Sequence, residues 1–260
     1  MLVLALDTTT RTGSCALARD GRVLREEASD AERGHAERLP GDLAALLEHA
    51  GVALREVDAF AVATGPGSFT GLRIGIATMQ GLAVAMGKPL IGVSAFDALA
   101  TIAAQGEPDE VRPTGVDGHV GRALSGPPTV ATWIDAWRGE VYAALYEGGQ
   151  EITPPTVALP EMLLARLRDA SDRLRNASAS QAQTDDPVLF IGDGAATFRE
   201  LIGGTLGGRA RFADPVTPAI AGTIALLATG AARAGDAPPP HAIRPLYVRR
   251  PDPELARDRR

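Results

Sequence analysis

The hydrophobic pattern opens with an apolar run closed by an acid, Leu2–Asp7, followed by Ser14–Arg19 and Arg22–Ala28. These three segments predict an antiparallel meander, with Asp20-Gly21 as a hairpin turn because both residues tolerate the positive φ that a tight turn demands. Leu39, Leu43, Leu46, Leu47 and Ala50 then share one face, which predicts a helix from about Leu39 to Ala50. Pro40 belongs in its first turn or kinks it. Val57–Ala63 is short, apolar and partly β-branched, the pattern of a buried strand. Gly65-Pro66-Gly67 stops it, and Ser68 or Thr70 caps a helix running to Met86, whose apolar face is Leu72, Ile76, Met79, Ala83 and Met86. Leu90–Val93 reads as a strand, and Ser94 with Asp97 as a capping-box variant on the helix after it.

Residues 106–128 carry Gly, Pro and charge without apolar period, which predicts an exposed loop between two halves. The pattern then begins again. Thr129–Asp135 and Glu140–Glu147 form a hairpin with Ala136 and Trp137 at its turn, and Pro160–Leu167 is a helix. Residues 173–187 are polar and low in complexity, a mobile insert. Val188–Ile191 is a strand, Gly192-Asp193-Gly194 a turn, and Thr217-Pro218 supplies the start of a helix to about Ala232. Arg244–Val248 is the last ordered piece, and the tail after it frays. Two successive hairpin-then-α/β halves, 1–105 and 129–250 around the 106–128 loop, predict a duplicated α/β fold with a cleft between them. Asp7 and Asp135 end corresponding strands. Such carboxylates either hold a Mg²⁺-nucleotide or cap the turn that follows, as Asp7 would cap Thr8-Thr9-Thr10.

Composition narrows the chemistry. Of 260 residues, 45% are hydrophobic and 22% charged, an ordinary globular balance, and no uninterrupted apolar run reaches membrane-span length. The apolar N-terminus lacks a basic segment and meets Asp7 too early for a signal peptide. Cys15 is the single cysteine, which excludes internal disulfides and Cys-built zinc sites and makes the cytoplasm the natural compartment. A net charge of −6 argues against a large nucleic-acid surface. Lys88 is the only lysine, so lysine-based catalysis is nearly excluded.

The glycine-rich turn at Gly65–Gly67 invites comparison with a phosphate-binding loop. That loop needs Lys and Ser/Thr after its second glycine, and here Leu72 and Arg73 follow Gly71. His35 and His49 share a helix at most, and their spacing separates them by about 21 Å, too far for one metal.

The segments "LALDTTTRTGSCAL", "TGPGSFTGLRIGIATMQGLA", "WIDAWRGEVYAALY" and "FIGDGA" together resemble the bacterial TsaB family, also called YeaZ. The resemblance runs from residue 2 to about 250. It implies an ASKHA-type (actin, sugar kinase, Hsp70) duplicated fold and a role in making threonylcarbamoyladenosine on tRNAs that read codons beginning with A. It implies a non-catalytic partner of the transferase TsaD, with the ATPase TsaE joining the complex, tRNA engaged only indirectly, and no membrane. TsaD-like proteins carry a His-x-x-x-His metal pair after the strand that follows the Gly-Pro-Gly helix; Gly92–Ala100 here has no histidine, so neither a metal nor a catalytic residue is expected. Nucleotide contact, if the ASKHA pattern holds, falls on Asp7, Thr8, Thr9, Asp135, Gly192, Asp193 and Gly194. No cofactor of its own is expected, with ATP or ADP placed at the complex interface. The alternatives are an ASKHA phosphotransferase and a glycoprotease-like metallohydrolase.

The small residues Gly71 and Gly75 suggest where a partner packs. The expected interface is Leu39, Leu43, Gly67, Ser68, Phe69, Thr70, Gly71, Arg73, Gly75, Ile76 and Met79, with Leu46, Ile74 and Leu82 assigned to the chain's own core. The same surface serves a homodimer when the partner is absent. A bulky residue at Gly75 is then expected to abolish partner binding in a folded chain.

Overall fold

The computed structural model describes residues 1–30, 34–106, 129–177, 187–235 and 237–249. They build two five-stranded mixed sheets. The first contains β1 (Leu2–Asp7), β2 (Ser14–Arg19), β3 (Arg22–Ala28), β4 (Ala59–Gly65) and β5 (Leu90–Ser94), in the order β3-β2-β1-β4-β5. The second contains β6 (Thr129–Asp135), β7 (Val141–Glu147), β8 (Gln150–Ala158), β9 (Val188–Ile191) and β10 (Ala210–Phe212), in the order β10-β9-β6-β7-β8. Read from the other edge, the second order repeats the first strand for strand. In both sheets the first three strands pair antiparallel and the last two join in parallel. The duplicated α/β fold is therefore present at the level of connectivity.

The pleat of each strand sorts its residues into layers. Leu2, Leu4 and Leu6 of β1 face α1 (His35–His49) and α2 (Phe69–Met86), while Val3 and Ala5 face the opposite side. That opposite side of the first sheet is built of small residues, Ala16, Ala18, Ala59, Ala61 and Ala63. Small side chains let α7 (Ala221–Arg233), itself rich in alanine, lie close against the strands. α3 (Ala95–Gln105) shares this middle layer and meets β6 and β9 of the second sheet. The outer face of the second sheet carries Trp133, Phe190 and Ala143 under α4 (Pro160–Ala177) and α6 (Arg199–Leu206), with the short α5 (Asp193–Thr197) against β6. The 1–105 and 129–250 division thus separates the sheets, but the packed layers cross it. α7 belongs in sequence to the second half and packs on the first sheet.

Several expected boundaries move. α1 starts at His35, four residues before Leu39, and Pro40 sits exposed in its second turn. β4 lies two residues later than Val57–Ala63. Ser94 caps α3 through the Phe96 N–H, whereas Asp97 accepts the Tyr146 hydroxyl, so no capping box forms. The β6–β7 turn is centred on Trp137 and Arg138, both at positive φ, one residue beyond the expected Ala136-Trp137. β8 went unseen because Pro154-Pro155 interrupts it; an edge strand tolerates proline. α4 extends to Ala177, so the start of the expected 173–187 insert is helical. Residues 178–186, nearly all of the 106–128 loop, and the tail after 249 lie outside the described residues. α7 begins at Ala221, not at Thr217-Pro218, and its first N–H groups are bonded by Ser14 Oγ and Glu26 Oε1. Arg244–Val248 joins no strand or helix, although the Leu246 N–H donates to Thr64 O.

α2 is long and apolar enough, by length and composition, to cross a membrane. Its inner face, Leu72, Ile76, Met79 and Ala83, is buried in the chain's own core.

Candidate functional site

The two halves enclose a cleft of about 320 Å³ lined by Asp7, Thr9, Gly13, Ile134, Asp193 and Ile220, among others. β1 brings Asp7 into this cleft and β6 brings Ile134, so the acid that shares the cleft with Asp7 is Asp193 rather than Asp135. Asp7 is buried, and its Oδ1 accepts the Thr9 N–H at 2.8 Å and the Thr9 hydroxyl at 2.7 Å. The turn cap expected of Asp7 is thus present. Asp193 Oδ1 accepts the N–H groups of Asp135 and Gly194 at 3.0 and 2.9 Å, and Asp135 Oδ1 accepts the Trp137 N–H at 2.8 Å. Asp7 and Asp135 each cap their own turn, whereas Asp193 ties the start of its helix to the end of β6. Gly192 and Gly194 serve close packing on β6: a Cβ at Gly192 would stand 2.1 Å from Trp133 O, and one at Gly194 3.0 Å from the Ile134 carbonyl carbon. They are not an open cradle. Thr8 Oγ1 is buried without a partner. A bare polyphosphate entering this cleft would face Asp7 and Asp193 together.

Burial pushes the Asp7 carboxyl up from 3.8 to about 6; its bonds from Thr9 pull the other way, and Asp193 and Glu26 add to the rise. Burial also raises Asp193. Between these two values the folded chain keeps a proton on Asp7 that the unfolded chain releases. Stability from this group is therefore greatest in acid and falls as pH rises through that window, by roughly 3 kcal/mol at about 1.4 kcal/mol per unit. Asp7→Asn keeps the Oδ1 acceptor and cannot ionise. Its melting temperature is expected to exceed the parent's by roughly 5 °C or more at about pH 8, the excess vanishing toward pH 4. An equal difference at both pH values would remove the assignment.

The expected interface residues separate into two groups. A Cβ at Gly67 would stand 2.4 Å from Thr9 O, at Gly71 2.3 Å from Thr8 O, and at Gly75 2.2 Å from Thr8 Oγ1. These glycines let α2 sit directly on the chain's own Thr8-Thr9 turn, which corrects their reading as an open partner face. Leu39, Leu43, Ile76 and Met79 are likewise buried in the core between α1, α2 and the first sheet. Ser68 caps α2, its Oγ accepting the Gly71 N–H. Phe69, Thr70 and Arg73 are exposed. The Arg73 guanidinium lies 3.7 Å over the Phe69 ring, and its Nε–H donates to the Tyr247 hydroxyl at 2.9 Å.

The face of α2 that does look outward is Thr70, Arg73, Ala77, Gly81 and Val84, with Val84 68% exposed. Beside it, α1 exposes Pro40, Gly41 and Ala44. No atom lies within 4 Å of where a Cβ would stand at Gly41 or Gly81. Sequence reasoning missed this stripe although its signal is present: Ala77, Gly81 and Val84 recur at the same helical steps, in opposite phase to the buried residues. His35 and His49 stand at the two ends of α1, His35 against Thr10 O and His49 against Glu27. His119 lies outside the described residues.

Twinned sheets of identical connectivity, with a cleft between them, define an ASKHA-type duplicated fold. The family model described as TsaD: tRNA N6-adenosine threonylcarbamoyltransferase matches residues 27–237. The Bacillus subtilis tRNA threonylcarbamoyladenosine biosynthesis protein TsaB is 30% identical over 207 residues, covering 80% of this chain and 77% of that protein. The Escherichia coli TsaB is 36% identical over 147 residues, 56% of this chain and 55% of its own length. The structure of YeaZ from Pseudomonas aeruginosa aligns with 95% of this chain and 100% of its own at a TM-score of 0.63 and 28% identity. The chain belongs to the TsaB (YeaZ) family.

Proposed function

We propose that the chain is a non-catalytic scaffold subunit in threonylcarbamoyl transfer to adenosine of tRNAs reading ANN codons, and that it binds a TsaD paralogue through the outward faces of α1 and α2. The observation that carries this reading is the set of small, exposed residues on two helices that contact each other, Pro40, Gly41 and Ala44 on α1 and Ala77, Gly81 and Val84 on α2. Small side chains let a partner's helices approach closely, and contact there removes apolar surface from water at about 25 cal/mol per Å². The naming of the B. subtilis and E. coli relatives supports the pathway. In this reading TsaE joins through the complex, tRNA is contacted indirectly, and the same face closes a homodimer when the paralogue is absent. ATP or ADP belongs to an interface that the partner completes, because Asp7 and Asp193 crowd the cleft of this chain. The place of action is the cytoplasm.

Co-purification with the same organism's TsaD, followed by tRNA modification with and without this chain, is the test. A stable complex and modification that depends on the chain are expected. Modification at an equal rate without it would defeat the scaffold reading.

A further inference from the structure

α1 has a second side, which faces the cleft loop between β1 and β2. Arg38 is 2% exposed, and its Nη2 donates to Arg11 O at 3.0 Å and to Thr12 O. His35 Nδ1 lies 2.9 Å from the same Nη2. An arginine only donates, so Nδ1 accepts, sharing one of the two Nη2 hydrogens with a carbonyl; the imidazole hydrogen sits on Nε2, and Nε2–H donates to Thr10 O at 3.0 Å. Three successive carbonyls are thus drawn toward α1. Across a trans peptide the C=O of one residue and the N–H of the next point in opposite directions, so the N–H groups of Arg11, Thr12 and Gly13 turn away from α1. Residues 10–13 all line the cleft. Gly13 completes the loop at φ +65°, where a Cβ would meet Asp7 O at 2.6 Å.

The hold on the loop leaves groups unmatched. Arg38 Nε and Nη1 are buried without hydrogen-bond partners, and so is Asp42 Oδ2, one helical turn along. Nε and Oδ2 stand 3.8 Å apart, beyond hydrogen-bonding distance although their charges are opposite. A small rotation of the guanidinium would join them and withdraw Nη2 from the carbonyls. Buried polar groups are nearly always satisfied, so two arrangements compete for one side chain.

We propose that Arg38 is a latch with two seats: on the Arg11 and Thr12 carbonyls it shapes the cleft loop, and on Asp42 it releases that loop. Asp42 lies between the exposed Gly41 and the buried Leu43, at the margin of the outward face of α1. A partner seated on that face biases the choice, and this second half rests on the docking role proposed above. By reciprocity, whatever orders the loop from the cleft side alters docking by the same factor.

Amide hydrogen exchange of the whole free chain tests the latch. Arg38→Gln is expected to speed exchange of residues 11–13 about tenfold relative to the β4 amides, and Asp42→Ala to slow it about threefold by removing the competing acceptor. An ion pair that merely props up α1 predicts acceleration by both substitutions. Acceleration by Asp42→Ala, or no change, overturns the proposal, and Asp42→Ala decides alone if Arg38→Gln does not fold. In a complex with the paralogue, exchange at 11–13 is expected to change for the parent and not for Arg38→Gln. A complex that forms without any change there removes the link to docking. Absence of a complex defeats the docking role instead, and leaves the latch standing on the free-chain result.

Discussion

Gly81→Trp is expected to leave the chain folded and to weaken the proposed complex with TsaD about 100-fold or more. The position is helical, exposed and open, with no atom within 4 Å of a new Cβ. Replacing glycine inside a helix removes backbone freedom from the unfolded chain, and even alanine there gains roughly 0.5–1 kcal/mol. An indole at this point stands between Ala77 and Val84 and holds off any helix packed against them. The loss corresponds to about 2.7 kcal/mol or more of binding free energy. The melting temperature of the variant, compared with its pull-down of TsaD, reads the two effects separately. Binding within about threefold of the parent would place the interface elsewhere on the molecule.

Gly75→Val should do the opposite, damaging the fold before any partner is involved. Its Cβ would stand 2.2 Å from Thr8 Oγ1 and 3.1 Å from Thr8 Cγ2. α2 would have to lift from the Thr8-Thr9 turn, disturbing the core formed by Leu6, Ile76 and Met79. Overpacking of this kind costs about 1–3 kcal/mol, which outweighs the few tenths of a kcal/mol, roughly, that valine gains over glycine in helix propensity. Against a total stability of about 5–15 kcal/mol, the melting temperature should fall by roughly 5–10 °C. Thr8→Ala removes both obstructing atoms and a buried hydroxyl that has no partner, so it is expected to restore part of the loss. A double variant no more stable than Gly75→Val alone would show that the strain lies elsewhere. The contrast between the two glycines also changes what an experiment at Gly75 can report, since lost binding there would follow from lost structure.

Much of the architecture is legible in the residue pattern. The Asp20-Gly21 turn, the alternation of β1, the Gly-Pro-Gly stop and the second hairpin at Thr129–Glu147 are each written locally, in φ preferences and in periods of two or 3.6. Repetition of those local signals along the chain was enough to predict a duplicated fold. β8 escaped because an edge strand can carry prolines that a central strand would exclude. The true start of α7 escaped because its first N–H groups are satisfied by Ser14 and Glu26, roughly two hundred residues earlier in the chain. No local capping signal exists to be read there.

The candidate site divides in the same way. That Asp7 and Asp135 end equivalent strands follows from sequence alone. That each spends an oxygen on its own turn depends on side-chain directions that only the folded chain specifies. On α2 the sequence determined that one helix carries small residues all round: Gly71, Gly75, Ala77, Gly81 and Ala83. Which of them face a partner and which face the chain's own β1 turn depends on the phase at which α2 settles on the sheet. Periodicity fixes the angle between residues on a helix but not the rotation of the helix itself. Tertiary packing chose that rotation, because only glycine at 71 and 75 lets the helix approach Thr8 closely enough to close the core.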